Sequence, residues 1–351
     1  MTLHTSGVAA GTARSTAASR AARRPSRRAG RVLGIAATLP ILALLAACAT
    51  NADADPVGDV NAENAAAAGL VVDTSPEQDR IRTTESAEAV ALLPAAFADK
   101  DTIKVAVSAY VPPLAFLADD EKTPIGNETD IAQLIGDALG KKVEWEVKAW
   151  ADWPLAVQSG DVDVVISNVT VTEERKELFD FSSYRNDQLG WLTKADSDLT
   201  SITEAKDVAG LTVAVGSGTN QEKILLAWDE ENKAAGLEPA TIEYFENDGD
   251  TILALQSGRI DVTFGPNATA SYKAKVSPED FKVIGTLNGG WPATAQIAVG
   301  TLKGNELAPA VTAALNHAIE DGSYAEVLER WGLEDEAIET SETNPAGLPK
   351  S

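Results

Sequence analysis

Residues 155–164 read LAVQSGDVDV, and residues 253–262 read LALQSGRIDV. Each copy has a helical apolar pattern that stops at a glycine and continues into a short β-branched run, which predicts a helix end followed by a buried strand. A second pair precedes them in the same order, VAVS at 105–108 and VAVG at 213–216. Repeated blocks in the same order predict two similar α/β lobes in tandem, with one large sheet of locally similar strands as the alternative.

Around these blocks, between residues 102 and 331, short β-branched runs alternate with amphipathic helical runs, a pattern typical of helices layered on parallel strands. Because ligands of such sheets bind beyond the carboxyl ends of the strands, two facing lobes enclose a cleft. We therefore predict an α/β fold of two doubly wound lobes with a central cleft. The predicted segments are lobe 1 at 100–191 and 289–338, lobe 2 at 192–288, hinges near 190–193 and 284–288, and a polar C-terminal tail at 339–351 that is a surface strap or disordered.

The N-terminal region has the features of an export signal. Residues 1–31 carry seven arginines and no acid, and an apolar run follows at 32–47. These are the basic and apolar regions of a secretory signal, and the run is shorter than the roughly 20 residues that span a bilayer. The run ends in Leu-Ala-Ala before Cys48, which is similar to the lipobox of bacterial lipoproteins. We predict a signal peptide at 1–47 and lipid attachment at Cys48, with the Sec and Tat export routes both open.

The next segment, 48–99, is rich in Ala, Asn, Asp and Glu and has no sustained apolar period. This composition predicts a linker that tethers the lobes to the lipid anchor. Short apolar groups in its later half could pack locally.

Composition excludes several classes of protein. The chain has 351 residues, with 29 Lys and Arg against 53 Asp and Glu, a formal net charge of −24. A polyanion repels such a surface, so we exclude nucleic acid as a partner. One Cys and two His exclude a disulfide scaffold, a Cys/His zinc cluster and most histidine-based catalysis. We predict no metal and no cofactor.

Polar side chains follow the first repeated block. Residues 166–175 read ISNVTVTEER, which places Ser167, Asn168 and Thr170 at the carboxyl end of a buried strand and Arg175 just behind them. Arginine is a planar two-pronged donor, and the hydroxyls and amide supply further hydrogen bonds, so this set suits a carboxylate. Pairing of Arg175 with a neighbouring surface acid is the alternative.

A glycine turn follows the matching strand of the second lobe. Residues 215–222 read VGSGTNQE, where Thr219 and Glu222 have the spacing of a capping box. The free backbone N–H groups at such a helix start attract an anion, although an ordinary strand-to-helix turn would have the same sequence. The GKS or GKT ending of a phosphate-binding P-loop is absent from this turn.

Several motifs between about residues 102 and 331 occur together. They are Val111-Pro112-Pro113, Gly126 with Asp130-Ile131, the block at 155–163, Val169 to Ser182, Gly218 to Glu222, and Gly322 to Tyr324 with Trp331-Gly332. In these motifs the chain resembles the extracytoplasmic solute-binding proteins of polar amino-acid ABC transporters, family 3. The resemblance implies the two-lobed fold of type II periplasmic binding proteins.

The resemblance also implies roles for individual residues. Arg175 and Thr170 would clamp the α-carboxylate of the solute, aided by N–H groups near Thr219 and Asn220. The other implied contacts are Ser167 and Asn168 in the first lobe, Ser108, Tyr110 and Val111 around the Pro-Pro turn, a wall at Trp150 or Trp153, and Asn267 in the second lobe.

The sequence departs from the family pattern where the α-ammonium is commonly held by acidic residues. Those positions read Ser108 and Gly-Pro-Asn at 265–267. Asn267 could accept one hydrogen bond from an ammonium, and Glu128 could reach the cleft from the first lobe. We therefore predict a small solute with a carboxylate and leave its α-ammonium open.

The predicted function is a lipid-tethered, monomeric binding protein outside the cytoplasm whose lobes close on one solute and present it to an ABC permease and its ATPase. The motifs predict no enzyme activity. The alternatives are a dehydratase-like or lyase-like enzyme on the same fold, with Glu128 or Asp163 as acid or base, and a sensor module that passes occupancy to a receptor.

Overall fold

The computed structural model of the chain describes residues 72–350. The predicted signal peptide, the predicted lipidation site at Cys48 and the first part of the predicted linker lie outside the described residues. No helix within 72–350 is long and apolar enough to cross a membrane.

The described residues form α-helices and β-strands in alternation. The helices are α1 (Ala87–Ala91), α2 (Ala95–Ala98), α3 (Asn127–Ala138), α4 (Trp153–Ser159), α5 (Asn220–Ala234), α6 (Asp248–Gln256), α7 (Asn267–Val276), α8 (Ala308–Asp321) and α9 (Ser323–Trp331). The strands are β1 (Thr102–Val107), β2 (Phe116–Leu117), β3 (Pro124–Ile125), β4 (Lys142–Val147), β5 (Val164–Thr170), β6 (Phe179–Asn186), β7 (Gln188–Lys194), β8 (Thr212–Val215), β9 (Thr241–Tyr244), β10 (Val262–Pro266), β11 (Phe281–Asn288) and β12 (Gln296–Leu302).

Two five-stranded sheets form the centres of two lobes. The sheet of lobe 1 has the order β4-β1-β5-β12-β6, and the sheet of lobe 2 has the order β11-β7-β10-β8-β9. In lobe 1, β1 pairs parallel with β4 and β5, while β12 runs antiparallel to β5 and β6. In lobe 2, β8 pairs parallel with β9 and β10, while β7 runs antiparallel to β10 and β11. The prediction of two α/β lobes is confirmed, and both sheets are mixed.

The repeated sequence blocks occupy equivalent places in the two sheets. The first block ends α4 at Gly160, which adopts a left-handed φ of 76°, and then forms the start of β5. The second block ends α6, turns at Gly258 with a φ of 71°, and forms the start of β10. Both strands lie in the middle of their sheets, so their carboxyl ends are placed at the centre of the cleft edge.

The chain crosses between the sheets twice. β6 ends at Asn186 in lobe 1 and β7 begins at Gln188 in lobe 2, so the first crossing is at Asp187. The boundary that we predicted after residue 191, with its hinge at 190–193, therefore lies inside β7. Trp191 is fully buried in lobe 2, stacked 3.9 Å from Phe264. The second crossing is at 289–295, next to the predicted hinge at 284–288.

The later half of the predicted linker is packed on lobe 1. The Arg80 guanidinium pairs with Asp130 at 2.5 Å, and the Ser86 amide donates to the Ala138 carbonyl at 2.9 Å. Ala89 is fully buried in the core of lobe 1. Residues from 72 onward thus belong to the body of that lobe, because an ion pair and a hydrogen bond to α3 and the packing of α1 on α8 hold them there. A linker remains a prediction for 48–71.

The C-terminal tail runs across lobe 1 as a strap. The Asn344 amide donates to the Phe181 carbonyl at 2.8 Å, and the Leu348 amide donates to the Val171 carbonyl at 3.0 Å. These bonds attach the tail to β6 and to the segment that follows β5.

Candidate ligand-binding site

A cavity of about 560 Å³ lies between the lobes, at the carboxyl ends of β5, β8 and β10. This volume falls in the range of pockets that enclose small organic ligands. Its polar lining includes Ser108, Glu128, Ser167, Asn168, Thr170 and Arg175 from lobe 1, and Ser217, Thr219, Asn220, Thr263, Thr269 and Lys273 from lobe 2.

Arg175 reaches both lobes. It lies in a 3₁₀ turn, Arg175–Glu177, just after β5. One guanidinium nitrogen donates to the Thr170 carbonyl at 2.8 Å, and the other terminal nitrogen donates across the cleft to the Gly218 carbonyl at 3.2 Å. The guanidinium also lies 5.5 Å from the centre of the Trp150 ring. Because arginine has five N–H donors, donors remain for a bound anion.

Burial changes the electrostatics of this arginine. Desolvation lowers the pKa of Arg175 to about 10, while the charges of Asp187 and Glu174 act in the opposite direction. The side chain is therefore still a cation at neutral pH. A partly desolvated cation interacts more strongly with a carboxylate than one that is fully exposed to water.

Hydroxyl groups of lobe 1 share the cavity lining with Arg175. The Ser108 amide donates to Ser167 Oγ at 2.9 Å, which ties the loop after β1 to β5. Ser108 is 9% exposed, and its own Oγ has no hydrogen-bond partner among residues 72–350. A buried hydroxyl without a partner is costly, so this oxygen is available to a bound ligand.

Thr170 is connected to the two crossings between the lobes. Its hydroxyl donates to Asp187 Oδ2 at 2.7 Å. The Asp187 carbonyl accepts from the Gly289 amide at 2.8 Å, and the Asp187 amide donates to the Ala295 carbonyl at 2.9 Å. Desolvation raises the pKa of Asp187, while the Thr170 hydrogen bond and the two nearby arginines, Arg185 and Arg175, lower it.

A buried charged cluster forms the floor of lobe 1 behind these residues. Glu128 Oε1 accepts from the Tyr184 hydroxyl at 2.7 Å and from the Asn168 amide at 2.5 Å. The Arg185 guanidinium pairs with Glu336 and also donates to Asn168 Oδ1. Of this cluster, the sequence analysis named Glu128 and Asn168 and missed Tyr184, Arg185 and Glu336.

The cluster fixes the geometry of Asn168 and changes the pKa of Glu128. Asn168 has a left-handed φ of 50°, which asparagine tolerates better than most residues, and its amide and side-chain oxygen are both bonded inside the cluster. Desolvation raises the pKa of Glu128, against the opposing effects of Arg185 and of the Tyr184 and Asn168 hydrogen bonds. Glu128 thus brings a buried carboxyl to the cavity wall.

The helix start of α5 forms the opposite wall. Thr219 Oγ1 donates to the Gly216 carbonyl at 2.7 Å and accepts from the Glu222 amide at 3.2 Å. The Glu222 side chain accepts from the Gly218 amide at 2.6 Å. The Asn220 side chain donates to the Gly289 carbonyl at the second crossing. The Thr219 half of the predicted capping box is therefore present, whereas the Glu222 side chain bonds to the amide of Gly218 and not to that of Thr219. The first turn of α5 faces the cavity with N–H groups that favour an anion.

The structure places most predicted binding residues in the lining, but two lie outside it. Tyr110 is 42% exposed, and the lining found within 72–350 does not include it. Asn267 is likewise outside the lining; it begins α7, and its side-chain oxygen accepts from Ser271. Of the two tryptophans, Trp150 lines the cavity, whereas Trp153 packs against Phe179 in the core.

A two-lobed α/β fold with a ligand-sized cleft, a cation that reaches both walls and unbonded hydroxyl groups defines a binding protein for a small solute. The chain belongs to the bacterial extracellular solute-binding proteins, family 3, whose profile matches residues 103–334. It is therefore an extracytoplasmic substrate-binding protein of an ABC importer.

Known proteins are similar to this chain over about two thirds to three quarters of its length. The arginine-binding protein of Corynebacterium glutamicum is 27% identical over 262 residues, which is 74% of this chain and 84% of that protein. The L-cystine-binding protein of Escherichia coli K12 is 29% identical over 235 residues, 66% of this chain and 83% of that protein. A solved structure of an ancestral arginine-binding protein bound to arginine is 31% identical, with a TM-score of 0.57 over 66% of this chain and 98% of that one.

Proposed function

We propose that the protein captures an amino acid, or a similar small solute with a carboxylate, between its lobes and presents it to the permease of an ABC importer. The observation that carries the proposal is Arg175, a charged and partly desolvated side chain in the cleft that bonds to lobe 1 at Thr170 and to lobe 2 at Gly218. A carboxylate bound by this guanidinium also lies against the start of α5, so that both lobes contribute to its binding.

Closure of the lobes and binding of the carboxylate use the same residues. Besides the bond from Arg175 to Gly218, Lys223 of lobe 2 pairs with Glu174 of lobe 1 at 2.5 Å. A solute that binds only the closed arrangement shifts the population toward it by its differential affinity. The permease and its ATPase can then recognise the closed form as the loaded form.

The choice of an amino acid rests on the relatives, whose names report arginine and L-cystine as ligands. The cleft has Ser108 and Gly265-Pro266 in its lining where acidic residues commonly hold an α-ammonium in the family. Glu128 is the buried carboxyl that lines the cavity and can accept a hydrogen bond from an ammonium.

The proposal also covers how the protein is attached to the membrane, its monomeric state and the fate of its solute. Cys48 carries the lipid that attaches a monomeric protein to the outer face of the cell membrane, through a linker that ends before residue 72. The protein binds its solute without changing it. Replacing Cys48 with Ser should release the protein from the membrane fraction, and a soluble monomer that still binds the solute is expected.

The test is a binding screen with matched arginine variants. The purified protein is screened by thermal shift against amino acids and other small carboxylates, since a ligand at 100 times its Kd adds about 2.7 kcal/mol of stability. For the best ligand, Arg175→Ala should weaken binding by about 2 to 4 kcal/mol, roughly 30-fold to 1000-fold by calorimetry.

Arg259→Ala is the matched control, because Arg259 is an exposed arginine of lobe 2 that pairs with Glu243. It should leave the affinity unchanged. The proposal is wrong if Arg175→Ala binds within threefold of the unmodified protein. Recovery of a chemically altered solute would instead favour an enzyme.

A further inference from the structure

The cavity extends from the cleft into lobe 2. Its walls there are Leu192, Ala214, Ile252 and Ala270, between α6 and α7. We call this part of the cavity the lobe 2 branch. The α7 helix starts at the cleft edge and runs back over the sheet, so Lys273, six residues along it, lies about 9 Å from that edge.

The lobe 2 branch contains a buried lysine that the proposed carboxylate site does not use. Lys273 lines the cavity, is only 9% exposed, and donates to Asp248 Oδ2 at 2.5 Å. An ammonium has three N–H donors, and Asp248 is the one acceptor of this group that we find within residues 72–350. Two donors of a largely buried cation therefore remain for a ligand.

A second polar group lies one helical turn before this lysine. Thr269 lines the same cavity, is 8% exposed, and its hydroxyl has no hydrogen-bond partner among residues 72–350. On a helix, positions four apart lie on one face, so Thr269 and Lys273 present their polar groups to the same space. Buried polar groups in native proteins normally have partners, and a solute is the partner that this cavity admits.

We propose that the lobe 2 branch receives the side chain of the solute and that Lys273 and Thr269 select a distal group that accepts hydrogen bonds, such as a carboxamide, a ureido group or a carboxylate. This proposal rests on the proposed function, in which Arg175 takes the α-carboxylate. The apolar walls fit the methylene stem that joins the two ends of such a solute.

Charge decides against a cationic distal group. Asp248 already pairs with Lys273, so the pair has no net charge, and an incoming ammonium or guanidinium would meet the Lys273 ammonium at short range. Glu246 and Asp152 also line the cavity, but both are exposed to solvent, which screens their charge. The fourth acid of the lining, Glu128, belongs to lobe 1 and not to this branch.

The experiment compares solutes of similar length and different ends by calorimetry: glutamine and citrulline as acceptors, norleucine as the apolar form, and lysine as the cationic form. The unmodified protein should bind the better acceptor solute at least about tenfold more tightly than norleucine, with lysine the weakest. In Lys273→Met, which keeps the stem and removes the donors, the ratio between acceptor solute and norleucine should fall to about threefold or less. Binding of norleucine itself should persist.

Lys275→Met is the matched control, because Lys275 is an exposed lysine of the same helix outside the cavity lining found within 72–350. It should leave the ratio unchanged. If Lys273→Met does not fold, the double variant with Asp248→Asn removes the unpaired carboxylate and is measured in its place.

The results distinguish failure of the Lys273 inference from failure of the proposed carboxylate-binding function. Tightest binding of lysine, or an unchanged ratio in the Lys273 variant, overturns this inference while the carboxylate site stands. If no solute with a free α-carboxylate binds the unmodified protein, the proposed function fails and this inference fails with it.

Discussion

Substituting alanine for Gly289 tests whether the crossings between the lobes are connected to the ligand site. Gly289 is the first residue of the second crossing, and its amide donates to the Asp187 carbonyl at 2.8 Å. A Cβ added at Gly289 would lie 2.1 Å from Asp187 Cγ and 2.3 Å from Asp187 Oδ2. An ordinary contact is about 3.5 Å, so the carboxylate or the crossing has to move by on the order of 1 Å.

The size of the effect follows from what holds Asp187 in place. Asp187 is buried, and its Oδ2 accepts the Thr170 hydroxyl at 2.7 Å. Overpacking costs about 1 to 3 kcal/mol, and loss of a buried hydrogen bond to a charged group costs about 1.5 to 3 kcal/mol. Gly289→Ala should therefore lower the free energy of unfolding by about 2.5 to 6 kcal/mol. Where the variant is folded, its solute affinity should fall about tenfold, because Thr170 loses the acceptor that orients its hydroxyl.

Urea unfolding measures the first effect and calorimetry with the bound solute measures the second. Gly249→Ala is the control: a Cβ there makes an ordinary contact of 3.5 Å with Asn247, and an alanine inside α6 should be neutral or slightly stabilising. If Gly289→Ala unfolded at the same urea concentration as the unmodified protein and bound solute within twofold, the link between crossing and ligand site would be refuted.

Three further variants test the charged groups. Burial raises the pKa of Glu128 above its ordinary value of 4.5. The contribution of Glu128 to the free energy of unfolding is therefore largest below pH 4.5 and is lost as the pH rises through the raised pKa. Glu128→Gln should thus become more stable relative to the unmodified protein over that pH range in urea unfolding at several pH values, and a pH-independent difference would contradict this. Glu336→Ala leaves the buried Arg185 without its ion-pair partner and should cost about 3 to 5 kcal/mol in thermal unfolding, where a loss below 1 kcal/mol would show that the pair is solvated. Lys223→Ala removes an exposed pair with Glu174 and should change solute affinity by less than about fivefold, with less effect still at high salt; a larger loss would make the pair a principal contact of the closed form.

The sequence predicted the parts of the fold that have local signals. A helical apolar pattern, a glycine in the left-handed region and a β-branched run all act within ten residues, so the blocks at 155–164 and 253–262 could be assigned to α4 with β5 and to α6 with β10. Polar residues just after a central strand necessarily lie at the cleft edge. For the same reason Thr170, the last residue of β5, and Arg175, five residues later, line the cavity.

Features that depend on distant contacts could not be predicted in this way. Arg185 and Glu336 are 151 residues apart in the chain, and nothing local to either predicts their ion pair. The first crossing was placed too late because β6 and β7 are separated by one residue, Asp187, and an apolar run at 189–192 follows without a turn signal. Tyr110 was assigned to the site through the family resemblance, as a residue beside the Pro-Pro turn, but the direction of a side chain in such a loop depends on the surrounding loops.

In the proposed function, carboxylate binding and lobe closure involve one set of groups, because of the contacts that Thr170 and Arg175 make. Thr170 bonds through its hydroxyl to Asp187 at the first crossing, and its carbonyl accepts from Arg175, which in turn bonds to Gly218 of lobe 2. Asp187 bonds to Gly289 at the second crossing. A carboxylate that draws on Arg175 therefore acts on a continuous hydrogen-bonded path between both crossings and the opposite lobe. A solute without a carboxylate would fill the same cavity without engaging that path, and closure around it should be correspondingly weaker.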